Sequence, residues 1–485
     1  MNPEYEVVVG MEVHAELATE SKVFCGCKTA FGAPPNTQVC PVCLGMPGAL
    51  PVLNRRAVEF TMKAALALNC QVAMKSRFHR KNYFYPDLAK GYQISQYDIP
   101  IGSDGWVDIE VDGEVKRIRV KRVHLEEETA KLTHAGDDII SASSSLLDFN
   151  RSGIGLMEIV TEPDIRSADE ARAYLNKLRD ILLAVEVSDC KLEEGSMRCE
   201  ANISVRPKGS KEFGNLVELK NIASFRAVHK GIQYEAARQI ELITSGGQVV
   251  RQTRHWDDSR GETVFMRSKE AAADYRYFPE PDLMPLEISA EWLEQVKQAM
   301  PELPDARAAR YVAEWGLLKE EAGQIAAARE LWAFFEPAAK AAGEGREVAK
   351  WLLGEVSAAV NATGTELSDS KLTPEYLAQL LSLMASGQIS GKIAKSVFED
   401  VWATGKAPAD IVRERGLVQI SDEGEIRAMV RKVIEANPSA VEDFRAGKDR
   451  AVTFLVGQIM KESRGRANPK ETNRLLREEL SELVK

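Results

Sequence analysis

The chain has 485 residues, with 63 Lys and Arg against 73 Asp and Glu, a formal net charge of -10. At roughly 100–200 residues per domain that length suggests about three domains, each able to bury a core. Its 44% hydrophobic and 28% charged residues exclude disordered, collagen-like and coiled-coil-fibre classes; no apolar run approaches the ~20 residues of a bilayer span, and Glu12 interrupts the first apolar stretch, so neither a signal peptide nor a membrane anchor is read and a cytoplasmic location is expected.

In chain order, EYEVVVGMEVHAEL alternates: Val7, Val9, Met11 and Val13 share one face, and Glu12, His14 and Glu16 the other, as in a half-buried strand. Arg55–Leu68 reads as a helix. WVDIEVDGEVKRIRVKRVHLEEE reads as a hairpin turning at Asp112-Gly113, a pair suited to positive φ. Helices are expected over Ala168–Val185 and Arg226–Ser245, and strands over Ala201–Arg206, Leu216–Lys220 and Gln248–Arg254. Beyond Pro285 the texture changes to Ala-rich amphipathic segments: Ser289 precedes a helix through Met300, and Thr373-Pro374 caps one ending before Gly387. The expected fold class is α+β, with a β-rich domain over 1–290, an all-helical domain over 291–409 and a small helical tail over 410–485. Within that tail, Arg445–Arg477 carries nine basic and three acidic residues, a net of +6 in an acidic protein. Such a reversal suits phosphates, or simply a solvated helix face.

Chemistry-bearing residues concentrate in the first half, since all seven Cys and all six His precede residue 256. Cys25, Cys27, Cys40 and Cys43 form two close pairs separated by twelve residues. Two such pairs can surround one tetrahedral Zn²⁺, and four thiolates leave no open position, so the ion would be structural. Disulfides are the alternative, disfavoured where thiols are kept reduced. A second group is acidic: Glu12, His14 and Glu16, then Glu126, Glu127 and Glu128, then Glu158, then Glu193 and Glu194. Carboxylates gathered at strand ends suit Mg²⁺, with Mn²⁺ open because a His is among them, or they are separate exposed acids. A third, KNYFYPDLAKGYQISQYDIP, mixes aromatics with Lys81 and Lys90 and reads either as a wall for a base and phosphate or as core. ADYRYFPEPDL is a fourth, similar cluster. Walker, dinucleotide, zinc-protease and serine-elbow motifs are all missing from the sequence.

Taken together, GMEVHAEL, YFYPDLAKGYQISQ, HLEEETAKLTH, DFNRSGIGLMEIVTEPD, LEEGSMRCEANISVRP, ELKNIASFRAV, MRSKEAAADYRYFPEPDL and VGQIMKESRGRANPKETNRLL resemble the GatB family of tRNA-dependent amidotransferase subunits over essentially the whole chain. The resemblance implies a cradle-type first domain, a YqeY-like tail that contacts tRNA, and a heterotrimer with the amidase GatA and with GatC. It implies a ligase that uses ATP to phosphorylate the side-chain carboxyl of Glu-tRNA(Gln) or Asp-tRNA(Asn) and then amidates it with ammonia. Carried onto matching positions, the family's metal site falls on His14, Glu127 and Glu158, with Glu12 and Glu126 close by. Lys81, Lys90, Ser196 and Arg198 are candidates for ATP or acyl-phosphate contacts, and Lys461, Arg464, Arg466 and Lys470 for tRNA. Two rivals remain at this point. A zinc-stabilised RNA-binding scaffold would use no ATP, and a stand-alone metal-dependent hydrolase would turn over without tRNA.

Overall fold

The computed structural model describes residues 4–134, 144–268, 275–417, 422–445, 448, 450–463 and 466–484. Arg464 lies outside them. Two compact units divide the chain, 1–303 and 304–485, and no described helix is long and apolar enough to cross a membrane.

The first unit is built on strands β1 Tyr5–Glu16, β2 Gln71–Val72, β3 Lys75–Ser76, β4 His79–Asn82, β5 Tyr92–Ser95, β6 Gly102–Val111, β7 Glu114–Glu127, β8 Lys131–His134, β9 Ser145–Asp148, β10 Gly155–Thr161, β11 Met197–Pro207, β12 Val217–Lys220, β13 Gln252–Asp257 and β14 Glu262–Ser268, followed by β15 Phe278–Pro279 and β16 Leu286–Glu287. Nine of these form one sheet in the order β14-β13-β12-β11-β1-β10-β7-β6-β2. Among the described strands, only the β12–β13 pairing is parallel. Helices α1 Arg55–Ala67, α2 Ala168–Ala184, α3 Phe225–Thr244 and α4 Ala290–Gln298 belong to the same unit. Each begins where a polar side chain accepts a free amide: Asn54 from Arg56, Ser167 from Glu170, Ser224 from Ala227 and Ser289 from Trp292.

The alternation read in β1 is present. Val7, Val9, Met11 and Val13 are buried in one core with residues of α1, α2 and α3. Asp112 and Gly113 both take positive φ at the β6–β7 turn, matching the twist a two-residue hairpin needs. Two strands depart from expectation at their starts: β11 begins at Met197, not Ala201, and β13 begins late. Pairing begins at Gln252, not Gln248, because residues 248–251 approach the sheet as coil, with Asn215 Nδ2 donating to the Val249 carbonyl at 2.7 Å. The helix after Ser289 packs on the first core through Val296 and Trp292.

The second unit is helical and holds two separate apolar cores, one from Tyr311 to Val412 and one from Ile426 to Leu480. Thr373 caps the helix Pro374–Ala385 as its sequence predicts. The second core joins the helices Glu423–Ala436, Pro438–Arg445, Arg450–Glu462 and Pro469–Val484.

Candidate active site

Strand register assembles the site. His14 on β1 lies directly opposite Glu158 on β10 and Arg198 on β11, and Glu158 lies opposite His124 on β7. Four adjacent strands therefore carry Arg198, His14, Glu158 and His124 in one rank on the polar face. Two residues along β1 and β7, the same face adds Glu12, Glu16, Arg122 and Glu126. The opposite face of β1 packs into the apolar core through Val9, Met11 and Val13.

Distances bear out the crowding. His14 Nε2 stands 3.6 Å from Glu158, 3.7 Å from Glu126 and 3.9 Å from Glu12, and His124 Nε2 is 3.2 Å from Glu158 and 3.5 Å from Glu126. Arg122 donates to Glu158 at 3.4 Å and Ser95 Oγ to Glu126 at 3.0 Å. Burial alone would push His14 down, but the hydrogen bond and charge of Glu158, with Glu126 and Glu12, outweigh it and raise it to about 9. His124 is raised against the same burial by Glu158 and Glu126. Burial favours neutral carboxyls at Glu158 and Glu126 as well, yet the imidazoles hold both below the ordinary range. Glu12, half-buried beside Glu158, is pushed up to about 7 by that partial burial and by the Glu158 charge.

Two sets of donors here come within 4.8 Å of one another: Glu12, His14 and Glu158, and His124, Glu126 and Glu158. The Nδ1 atoms of both imidazoles are buried and have no hydrogen-bond partner. An imidazole and carboxylate set of this kind fits Mg²⁺ or Mn²⁺, whose charge would replace the protons the histidines otherwise retain.

Glu127 is not in this group. A strand turns successive side chains to opposite faces, so Glu126 joins the rank and Glu127 points the other way, paired with Lys90 and accepting from Ile94 N at 2.8 Å. The structure brings His124 to His14 and Glu158 where the sequence reading put Glu127. The missed signal is the two-residue spacing His124-x-Glu126, the same spacing as Glu12-x-His14. Ser196 also lies apart: its hydroxyl bonds Asp189 and accepts from Lys191 N at 2.9 Å, closing the turn before β11. Glu194 is paired with Lys191 and Glu193 is exposed.

Lys81 is close to the rank. Its ammonium is held charged against burial by Glu126 and Glu158, and it lies 5.0 Å from the Tyr275 ring centre. The two aromatic clusters meet here, since β15 pairs with β4, Tyr97 stacks on Tyr277 at 4.3 Å, and Arg80 forms a two-pronged pair with Glu280 at 2.7 and 2.9 Å. Phe84 is 80% and Tyr85 57% exposed, so this wall is not core alone. Arg198 and Arg151 share Glu128 and, despite its burial, hold it down to about 2. Arg151 also reaches Glu16 at 3.1 Å.

The four cysteines of the knuckle converge, with their sulfurs all within 4.8 Å of one another. Tetrahedral ligation at a Zn–S distance of about 2.3 Å needs sulfurs about 3.8 Å apart; Cys40 and Cys43 are at 3.9 Å. All seven cysteines are free thiols, and a hydrogen bond from Cys25 pushes Cys43 toward thiolate. The donor set fits zinc. In the tail, Lys461 and Lys470 are exposed and Arg466 is half-buried, donating to Ser463 O at 3.2 Å.

Comparison with known proteins covers nearly the whole chain. The profile of the GatB/GatE catalytic domain matches residues 7–294 and that of the GatB domain residues 333–480. Over 480 residues the chain is 54% identical to the GatB-type aspartyl/glutamyl-tRNA(Asn/Gln) amidotransferase subunit of Carboxydothermus hydrogenoformans, covering 99% of this chain and all of the relative. It is 55% identical to the corresponding subunit of Brevibacillus brevis, covering 99% of each, and 54% identical to that of Geobacillus kaustophilus, covering 98% of this chain.

Proposed function

The chain belongs to the GatB family of aspartyl/glutamyl-tRNA amidotransferase subunits, and from that premise we propose that it activates and amidates the side-chain carboxyl of Glu-tRNA(Gln), Asp-tRNA(Asn) or both. Ammonia cannot displace oxide from a carboxylate. In the proposed sequence a carboxylate oxygen attacks the γ-phosphorus of ATP and ADP departs; ammonia then attacks the acyl carbon and phosphate departs. Ammonia comes from the GatA amidase subunit, with GatC completing a cytoplasmic heterotrimer.

The rank of Arg198, His14, Glu158 and His124 across four strands is the observation that carries this reading. Phosphoryl transfer asks mainly for positioning and for neutralisation of anionic oxygens. Lys81, Arg122 and Arg198 supply fixed positive charge around the rank. Glu12, His14, His124, Glu126 and Glu158 are the residues that would hold a divalent ion. Bound there, Mg²⁺ or Mn²⁺ would neutralise phosphate charge. Cys25, Cys27, Cys40 and Cys43 would hold a structural zinc, which takes no part in the reaction. The exposed aromatics Phe84 and Tyr85 suit a stacked base or ribose, and Lys461, Arg466 and Lys470 suit the tRNA backbone.

The test is amide formation on Glu-tRNA(Gln) by this chain co-expressed with GatA and GatC, with ATP, Mg²⁺ and ammonium chloride. Supplied ammonia bypasses the amidase. Gln-tRNA(Gln) is expected only with ATP, and loss of it in His14→Ala or Glu158→Ala, with glutaminase activity retained, supports the assignment. Wild-type rates in those variants would remove it, and tRNA binding without ATP consumption would favour a scaffold.

A further inference from the structure

The Cys40–Gly45 turn is tied together by its own backbone. Leu44 N donates to Cys40 O at 3.0 Å, Gly45 N to Val42 O at 3.0 Å and Met46 N to Pro41 O at 2.9 Å, while Cys40 N donates to the Cys43 sulfur at 3.1 Å. These bonds tie the backbone that carries Cys40 and Cys43 to that of Gly45. Gly45 has φ +64°, and a Cβ built on it would stand 2.4 Å from Lys90 Cγ, 3.1 Å from Lys90 Cα and 3.2 Å from Lys90 N. Two backbones touch at this point, so rotating the Lys90 side chain does not relieve the contact. Glycine is required here twice, for its φ and for the close approach.

Beyond that contact the Lys90 ammonium pairs with both oxygens of Glu127, the chain neighbour of Glu126 in the rank. On its other side, the knuckle meets the turn leading into β10. Ser152 Oγ donates to Cys43 O at 3.1 Å, and a Cβ on Gly153 would stand 3.4 Å from Cys43 Cβ. Cys25, Cys43, Gly45, Lys90 and Glu127 all line one cavity of about 210 Å³. The knuckle is thus wedged between the loop carrying Lys90 and the turn that starts the strand of Glu158.

We propose that the four-cysteine knuckle is a positioning device for the Lys90–Glu127 pair, acting through the Gly45–Lys90 backbone contact. Metal occupancy of the thiolates then sets where this ammonium lies relative to the acidic rank. Gly45 is the positioning residue. Only the kinetic arm of the test rests on the proposed amidation activity.

The experiment uses the full chain in its assembly with GatA and GatC. Zinc is counted by mass spectrometry, and Lys90 is acetylated with an N-hydroxysuccinimide ester and quantified against exposed Lys121 in the same sample. Removing zinc with a chelator is expected to speed Lys90 acetylation about tenfold by opening its ion pair, and to raise amide exchange over residues 83–94. Gly45→Ala is expected to do the same with zinc still bound, and to lower kcat for ammonium-driven amidation without changing KM for charged tRNA. Unchanged Lys90 reactivity after zinc removal overturns the proposal, as does a zinc-loaded Gly45→Ala that matches wild type or a wild-type chain that carries no zinc. If Gly45→Ala fails to fold, the chelation arm decides. If labelling changes as expected but the wild-type assembly forms no amide, the positioning role stands and the amidation reading fails.

Discussion

His14, His124 and Glu158 set the terms of the site. Three carboxylates and two imidazoles share a largely buried space, and the carboxylates raise both imidazoles against that burial, favouring their protonated forms. A bound divalent ion would take over that compensation, and its ligands are then those on the polar face. His124→Ala is expected to weaken Mn²⁺ uptake at least about tenfold. Glu127→Gln, on the opposite face, leaves it unchanged; calorimetric titration of both variants distinguishes the two assignments, and the reverse order would restore Glu127 to the metal group. The sequence made an acidic centre legible, because Glu12, His14 and Glu16 recur at strand spacing and three consecutive glutamates, Glu126 to Glu128, follow a second strand. It did not say which of three consecutive glutamates faces inward. That depends on where β7 meets β10, a register between residues distant in sequence, such as Glu126 and Leu156.

At the scale of elements, the helices were legible because their starts are written in single residues. Ser167 accepts the Glu170 amide at 3.1 Å at the head of α2, and Ser167→Ala is expected to cost about 1 kcal/mol, read as a lower urea midpoint. The strand β13 was legible only in part. Its extent is decided by the neighbours β12 and β14, which its own sequence does not contain. In the second unit, the helix Arg329–Ala342 carries Glu336, which accepts from Arg310 at 2.6 Å and from the buried Tyr311 hydroxyl at 2.9 Å. Burial opposes its ionisation, but these donors hold Glu336 below its ordinary value. A carboxyl with a depressed folded value stabilises fully above its unfolded value and loses that contribution as the pH falls through the folded one. Glu336→Gln is therefore expected to melt lower than wild type at pH 7, with the gap closing below the free-peptide value of about 4.3. A gap that is constant from pH 7 to pH 3 would remove the charge from this account.

On the scale of the whole molecule, charge separates along the chain. The protein carries -10 overall, yet Arg445–Arg477 carries +6. Part of this positive charge is taken up within the fold: Arg474 pairs with Glu471, Glu478 and Glu423, and Arg427 and Arg431 share Glu479 just outside the segment. Such pairs brace the core of Ile426–Leu480 and have less to offer a phosphate. Lys461 and Lys470, exposed at the end of one helix and the start of the next, are better placed to meet one. If they contact the tRNA backbone, each releases counterions on binding, and the logarithm of affinity falls with the logarithm of salt in proportion to the contacts made. Lys461→Ala with Lys470→Ala is expected to weaken binding of charged tRNA at low salt and to flatten that dependence by about two in slope. Divalent-ion uptake by the first unit should not change. Affinity and salt slope both equal to wild type would mean that these lysines face water in the complex and that the basic segment serves only to fold the tail. A strong loss of affinity with the slope retained would point to a damaged helix pair and not to lost phosphate contacts, which is why the slope and the affinity together decide what the tail's charge is for.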